Sequence, residues 1–386
     1  MAISAVLVDD SRLARRALAT ETAYIRACEP TDIAAVARLF HKVFRPQAET
    51  ASQSLEHYLR ELFFDHPWRD AELASQVFVS AAGEVEGFIG VLPLRMSWRG
   101  KPIRAAVASS LMVANPTQNP LAGARLLRSF LSGPQDLSVS ETSNSIAQVM
   151  WQRLGGEAIP AYSMEWLRVL RPGRFAVSAI AERIRPLKFL HPVGAAVDGV
   201  LERIVGNPLR APAVEIRADD DVDPGDASLV AHILELADSY ALRPQWDADS
   251  LSRFLAHAST KRRHGVLVRR VVLGRRNVPL GCFLYYRRTG GVGYVLQILA
   301  RPEARDVVVN RLLDHAYRHG CIALRGRATS DLLNTLLQRR TIFLHRSSLT
   351  VHSRNAELLK AIRTDDALIT GLAGESWTRL IGDTFD

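Results

Sequence analysis

Cysteine is scarce in this 386-residue chain: Cys28, Cys282 and Cys321 are the only three, far apart and without CxxC spacing. That excludes a disulfide framework, argues against a metal site, and fits a reducing compartment. No apolar run approaches the ~18 residues that mark a spanning helix, so no transmembrane segment is expected. The opening stretch Met1 to Val8 is broken by Asp9 and Asp10 too early for a secretory leader, and the expected location is cytoplasmic. Acidic side chains are outnumbered, 40 against 49 basic ones, which leaves a formal net charge of +9. The surplus suits anionic partners, nucleic acid included, without choosing among them, and arginine-rich genome composition accounts for it equally well. What the chain has in plenty is ordinary core material. Hydrophobic residues make up 47% and charged residues 23%, enough for two cores, and the length alone suggests two domains.

Val6 to Ala19 reads VLVDDSRLARRALA and resembles the first strand and acidic pair of a receiver domain. A receiver needs a phosphoacceptor aspartate on a later strand, and Thr50 to Arg60 offers neither, so residues 1–21 read as an N-terminal extension. From Tyr24 a series begins. Tyr24 to Ala27 is a strand. Ile33, Val36, Ala37, Phe40 and Val43 recur at helical spacing, as do Leu55, Tyr58, Leu59, Leu62 and Phe63. Strands are expected over 76–80, 87–96 and 104–113, a helix over 121–131, a strand over 136–140, a helix over 145–154 closed by Gly155-Gly156, and a last extended segment over 161–170. This is an α+β pattern with mostly antiparallel strands and a central βαβ unit.

Residues 173–213 carry helical spacing broken by Pro186, Pro192, Pro208 and Pro212, and read as a helical linker. The acidic stretch Asp219, Asp220, Asp221, Asp223 and Asp226 fails the EF-hand frame and reads as a solvated loop. Residues 214–386 then repeat the earlier order: helices over 227–239 and 246–256, strands over 264–273, 279–287 and 293–299, a helix over 303–317, a strand over 322–326, a helix over 331–338, and a final strand pair at 342–345 and 349–352. Two copies of one supersecondary series suggest duplication.

Two stretches of the first half carry a more specific pattern. After the 104–113 strand come Pro116 and the loop Asn119-x-x-Ala122-x-Ala124, opening a helix with Leu126-Leu127. Small residues at a helix start let backbone N–H groups approach a pyrophosphate, which the helix dipole favours. Further on, Asn144-x-x-Ala147-x-x-x-Trp151-x-x-Leu154-Gly155 puts Asn144, Ala147 and Trp151 near one helical face. The pair resembles the GNAT superfamily of N-acetyltransferases, whose phosphate loop is [R/Q]-x-x-G-x-[G/A] and whose later helix carries N-x-x-A-x-x-x-[Y/F]. The departures are Asn119 for Arg or Gln, Ala122 for Gly, and Trp151 for Tyr.

The resemblance implies two tandem GNAT-like domains, each a mixed, mostly antiparallel sheet flanked by helices: residues 22–172 as the acyltransferase domain and 214–386 as a second copy without a CoA site. It implies acetyl-CoA or another acyl-CoA as donor substrate and an amine of a small molecule or sugar as acceptor, with no metal. Leu111, Met112, Val113, Asn119, Leu121, Ala122, Gly123, Ala124, Asn144 and Trp151 are the expected donor contacts, with strand N–H groups near Met112 or Val113 for the oxyanion. Indole cannot protonate a leaving thiolate as tyrosine does, so Tyr162 and Ser140 are the candidate acids. Glu141 is the candidate base, with a salt-bridged strand-end carboxylate as its alternative reading.

After Leu299 the second half reads ARPEARD, with no glycine and two acids where a phosphate loop would lie. The basic run Lys261, Arg262, Arg263, Arg269, Arg270, Arg275 and Arg276 reads as a solvated hairpin surface, with an anionic acceptor or RNA as the alternative. Gly374-Glu375-Ser376-Trp377 reads as a packed tail. Two other functions stay open here: a transferase taking its acyl group from acyl-carrier protein or aminoacyl-tRNA, as tandem GNAT-like peptidoglycan aminoacyl transferases do, and a non-catalytic acyltransferase relative that binds CoA or a protein. A homodimer is compatible with either half.

Overall fold

The computed structural model describes residues 23–45, 52–183, 198, 221–364 and 366–385. The expected N-terminal extension, the linker beyond residue 183 apart from Asp198, and Asp219 and Asp220 lie outside these residues. The chain divides into two compact units. One comprises Met1–Pro93, Ala108–Pro134 and Phe385–Asp386, and the other Leu94–Val107 and Gln135–Thr384.

In the first unit β1 (Tyr24–Ala27) pairs antiparallel with β2 (Gln76–Val79), and β2 with the start of β3 (Val85–Trp98). Two helices, α1 (Ile33–Phe44) and α2 (Gln53–Phe64), bury the apolar positions read from the sequence: Val36, Ala37 and Phe40 on one, Leu55, Leu59 and Leu62 on the other. A bidentate ion pair, Arg26 to Asp32 at 2.6 and 2.8 Å, fixes the chain at the start of α1. Helix α2 starts at Gln53, two residues before the expected Leu55, because the Ser52 hydroxyl caps it by accepting from the Leu55 N–H. The unit is completed by the end of β4 (Lys101–Val113) and by α3 (Ala122–Leu131).

The second unit holds strands of two sheets. In the first, β4 runs parallel to β5 (Leu137–Ser143) over Ala105–Val107, the pairing that a βαβ crossover produces. Helix α4 (Ser145–Arg153) follows, then the two-residue β6 (Glu157–Ala158) and β7 (Met164–Val169). Helix α5 (Pro172–Arg183) comes next, then β8 (Asp221–Val222), α6 (Asp226–Ala237), β9 (Leu242–Pro244) and α7 (Ala248–Ser259). The remaining elements are β10 (Val266–Leu273), β11 (Pro279–Arg287), β12 (Val292–Ala300), α8 (Arg305–Arg318), β13 (Ala323–Arg327), α9 (Ser330–Leu337), β14 (Ile342–His345), β15 (Ser348–Ser353) and α10 (Ala356–Arg363). The second sheet has the order β14-β7-β13-β12-β11-β10-β8, with β12 and β13 parallel over Val292–Val295 and Ala323–Gly326.

The elements form where the apolar periodicity puts them, but the partners of three strands differ from the sequence reading. β7, the last strand of the first half in chain order, lies in the second sheet between β13 and β14. β14 and β15, expected as a pair, part company: β15 lies in the first sheet between β5 and β6. The reason is edge coverage. β6 has two residues and β14 four, too short to protect the open edges of β5 and β13, so each half lends the other a six-residue strand. The lent strands are core material. Trp166 is 1% exposed, and Leu349 and Val351 are fully buried. Trp166 packs in the cluster of Phe283, Val295, Leu312 and Leu332.

Trp166→Ala is therefore expected to destabilise the fold by ~3–5 kcal/mol, the usual cost of emptying a large aromatic site. Urea unfolding followed by near-UV circular dichroism measures it.

Candidate functional site

The loop after β4 belongs to the first unit. Ser110, inside β4, has a φ of 52°, a left-handed residue that interrupts the regular pleat. The strand ends as the Ala114 N–H donates to the Glu86 carbonyl at 2.7 Å. The turn is then held internally: Asn119 N–H to Asn115 O at 3.0 Å, and Ala122 N–H to Asn119 O at 3.1 Å. Leu121 stands at the N-cap without a capping side chain, 69% exposed. Its Cβ carries no oxygen to accept from the first turn, so the donors of Gly123 and Ala124 have no side-chain cap. Ala122 opens α3 in helical geometry, so alanine replaces the family's glycine without strain. Asn119 does not reach toward a phosphate with its amide. Its Nδ2 donates to the Glu86 carboxylate at 2.7 Å. Arg125 lies in the same turn, its guanidinium 5.3 Å from the Phe78 ring centroid. Leu111 and Val113 are half-buried and Met112 is buried.

The Asn144 motif lies in the second unit, and the structure explains its spacing by capping. Asn144 is the N-cap of α4, and its side chain accepts from the Ala147 N–H at 2.9 Å. Trp151 is 1% exposed and belongs to the core. Helix α4 exposes two large apolar side chains, Ile146 and Val149, beside Ser145, Gln152 and Arg153.

Glu141, Tyr162 and Ser140 are all buried. The Glu141 carboxylate is fully enclosed by the C-terminal segment. Its Oε1 accepts from the Gly371 N–H at 3.1 Å and the Ser376 hydroxyl at 2.6 Å, and its Oε2 from the N–H groups of Glu375 and Ser376 at 2.9 and 3.0 Å. Arg327 Nε lies 3.6 Å from Oε1. This is the geometry of the salt-bridged anchor, the alternative reading of Glu141, and a proton acceptor has to come within reach of its substrate. Tyr162 donates to the Ala367 carbonyl at 3.0 Å, and Ser140 faces Thr350 across the β5–β15 ladder.

Sequence reasoning read the tail as packed but assigned it no role, yet it is tied into the unit by several hydrogen bonds. Gly371 has a φ of 69°, and a Cβ there would lie 2.5 Å from the Leu296 carbonyl. Leu372 N–H donates to Gln297 Oε1 at 3.0 Å. The tail thus lies against β12 beyond Val295, the last of its residues in register with β13. The basic run is absorbed only in part: Arg269 and Arg270 pair with Asp226 and Asp221 at 2.6 and 2.9 Å, while Arg262, Arg263, Arg275 and Arg276 are exposed. Lys261 is 1% exposed and donates to the Ser376 carbonyl at 2.8 Å. The Asp383 carboxylate accepts from the Arg263 N–H at 2.9 Å and from Arg379 Nε at 2.8 Å. Among the described residues no group of three His, Cys, Asp or Glu side chains is placed to hold a metal, and no helix is long and apolar enough to cross a membrane.

This architecture is shared with solved structures. One is a protein of unknown function and probable N-acyltransferase from Enterococcus faecalis V583, with a TM-score of 0.58 and 9% identity over 86% of this chain and 73% of that one. A GCN5-related N-acetyltransferase from Anabaena variabilis ATCC 29413 gives 0.54 and 11% over 86% and 73%. Another, from Kribbella flavida, gives 0.53 and 14% over 88% and 74%. At these identities the likeness is one of fold. The chain has the GNAT fold, in a tandem arrangement of two mixed sheets flanked by helices. No family model and no curated protein sequence matches it.

Burial pushes the Lys261 amine down to about 8 from 10.5. Between these values an unfolded chain holds a proton that the folded chain has released, so stability rises with pH across that window. Wild type is expected to gain up to ~1.4 kcal/mol per pH unit there relative to Lys261→Met. Urea unfolding of both proteins from pH 7.5 to 10 checks it.

Proposed function

We propose that the protein is an acyl-CoA-dependent N-acyltransferase, its donor site in the residue 22–172 half and its acceptor the amine of a small molecule or sugar. The observation that carries the reading is the start of α3. Ala122, Gly123 and Ala124 follow an exposed, non-capping Leu121, which leaves first-turn N–H groups for a pyrophosphate. The end of β4, Leu111–Val113, supplies the backbone along which the pantetheine arm lies, and its N–H groups polarise the thioester carbonyl. The GNAT fold supports this placement, since in that family the same strand and helix start hold acyl-CoA.

The single carboxylate tied into the loop, Glu86, works against the donor's phosphates. Arg125 in the same turn works for them. The balance makes affinity sensitive to charge at the loop, as expected of an uncapped helix start.

A second reading, binding without turnover, is favoured by one observation: Trp151 fills the acid position with a buried indole, and Glu141 and Tyr162 are enclosed. Under the leading reading the acceptor amine reaches the site already neutral and forms its C–N bond as the C–S bond breaks, and the proton it loses on becoming an amide passes to the departing thiolate or to water.

Isothermal titration with acetyl-CoA tests the donor site. Wild type is expected to bind one equivalent, Ala124→Glu to lose binding at least ~30-fold, and Glu86→Gln to gain ~2–5-fold. Turnover with any amine then separates the two readings. No binding of acetyl-CoA or a longer acyl-CoA overturns the donor assignment and turns the search to carrier-protein or tRNA donors.

A further inference from the structure

The basic run is neutralised only in part, and arginines left over from it gather with others at one end of the β10–β11 hairpin. Arg262 and Arg263 lie in the turn that leads from α7 into β10, and Arg287 and Arg288 stand where β11 ends. The two turns touch: Val266 is in register with Arg287, and a Cβ on Gly265 would collide with the Arg287 carbonyl. Arg325 joins them from β13. Its guanidinium lies 5.3 Å from the centroid of the Tyr294 ring, on which His264 stacks at 5.1 Å.

These five arginines are set apart by what they lack. Arg262, Arg263 and Arg288 are exposed, Arg287 and Arg325 are half-buried, and none of the five guanidinium groups hydrogen-bonds or ion-pairs with a described residue. Other arginines of the unit do pair, Arg243 with Asp238 at 2.8 Å and Arg363 with Glu157 at 2.7 Å. The Asp383 carboxylate beside the turn is fully buried, holds the N–H groups of Arg262 and Arg263, and has its charge matched by Arg379. The local field is correspondingly positive. Burial first, then the charges of Lys261, Arg325 and Arg263, push the His264 imidazole down to about 4 against the pull of Asp383.

Chemistry narrows the partner. A guanidinium fork meets phosphate oxygens two at a time. On an open surface one small anion gains only ~0–1 kcal/mol from an exposed cation, because water screens the pair. A chain of phosphates meets several cations at once and releases the counterions condensed on it, so affinity grows with each contact. A protein or a membrane surface needs apolar side chains as well, the first for anchors and the second for a face to insert. Val266 is the one large apolar side chain exposed in β10, β11 or β12. The rings beside the arginines, His264 and Tyr294, are stacked on each other, so the backbone of a nucleic acid is met rather than its bases.

We propose that Arg262, Arg263, Arg287, Arg288 and Arg325 bind the phosphodiester backbone of a single-stranded nucleic acid, without preference for its bases. The site belongs to the second unit alone and does not depend on acyl transfer.

Fluorescence anisotropy of a labelled 20-nucleotide oligouridylate, titrated with the full chain, tests it. Five contacts to a single strand predict a slope of about −3.5 in log affinity against log salt, so binding is expected to weaken about 100-fold between 50 and 200 mM NaCl. Arg262→Ala/Arg263→Ala is expected to bind ~10-fold more weakly at 50 mM NaCl and to make the slope shallower by about 1.4. Arg275→Ala/Arg276→Gly removes the same charge from the exposed far end of the hairpin and is expected to stay within ~2-fold of wild type. The Arg262→Ala/Arg263→Ala turn keeps the N–H groups that hold Asp383, and thermal melts confirm the fold. Arg288→Ala, expected to weaken binding ~3-fold, carries the test if that double variant is unfolded. No binding at 50 mM NaCl overturns the proposal. An equal loss in both double variants overturns it as well and reduces the effect to net charge. Displacement of the labelled strand by a 20-residue oligoglutamate or by phosphatidylserine vesicles, as readily as by unlabelled oligouridylate, overturns it in favour of an acidic peptide or an anionic membrane.

Discussion

The second unit depends on one buried carboxylate. Glu141 enters from β5 and is enclosed by backbone and side-chain donors of residues 371–376, with Arg327 alongside. An ionised carboxylate removed from water is costly unless it is fully hydrogen-bonded, and removal of one partner of such a set leaves the other exposed to the full penalty. The tail therefore folds around the carboxylate as a unit. Gly374 must be glycine for the same reason, because a Cβ there would collide with the carboxylate oxygen. Lys261, Asp383 and Arg379 extend the clamp along the tail.

The clamp has a consequence for the division of labour between the halves. In the second sheet the tail occupies the space beside β12 where that strand leaves its register with β13. After Leu299 the second half has a loop with no glycine. The first half has a helix start with small residues and no side-chain cap.

Helices were legible because burial follows their period: α1, α2, α3 and α8 bury the apolar positions that the 3.6-residue spacing marks. Strand partners were not. Alternation marks Met164–Val169 and Ser348–Ser353 as strands but says nothing about which edge they complete, and both crossed to the other sheet because the local edges were too short to close. The motif residues also have structural contacts that the motif does not announce: Asn144 caps α4, Trp151 is core, and Asn119 donates to Glu86. The roles of Glu375, Ser376 and Arg327 could not be read at all, since their contacts with β5 span some 190 to 235 positions in the chain. The available signal was the pair Gly371 and Gly374, two glycines three positions apart.

Hydrogen–deuterium exchange with and without acetyl-CoA addresses the central claim, that the first half alone presents a donor site, most directly. The account predicts slowed exchange in peptides covering residues 111–126 and no change in those covering 293–301 or 325–333. Protection of the β12 and β13 peptides, or loosening of the 369–383 tail on binding, would contradict it and show that the second half also takes the donor.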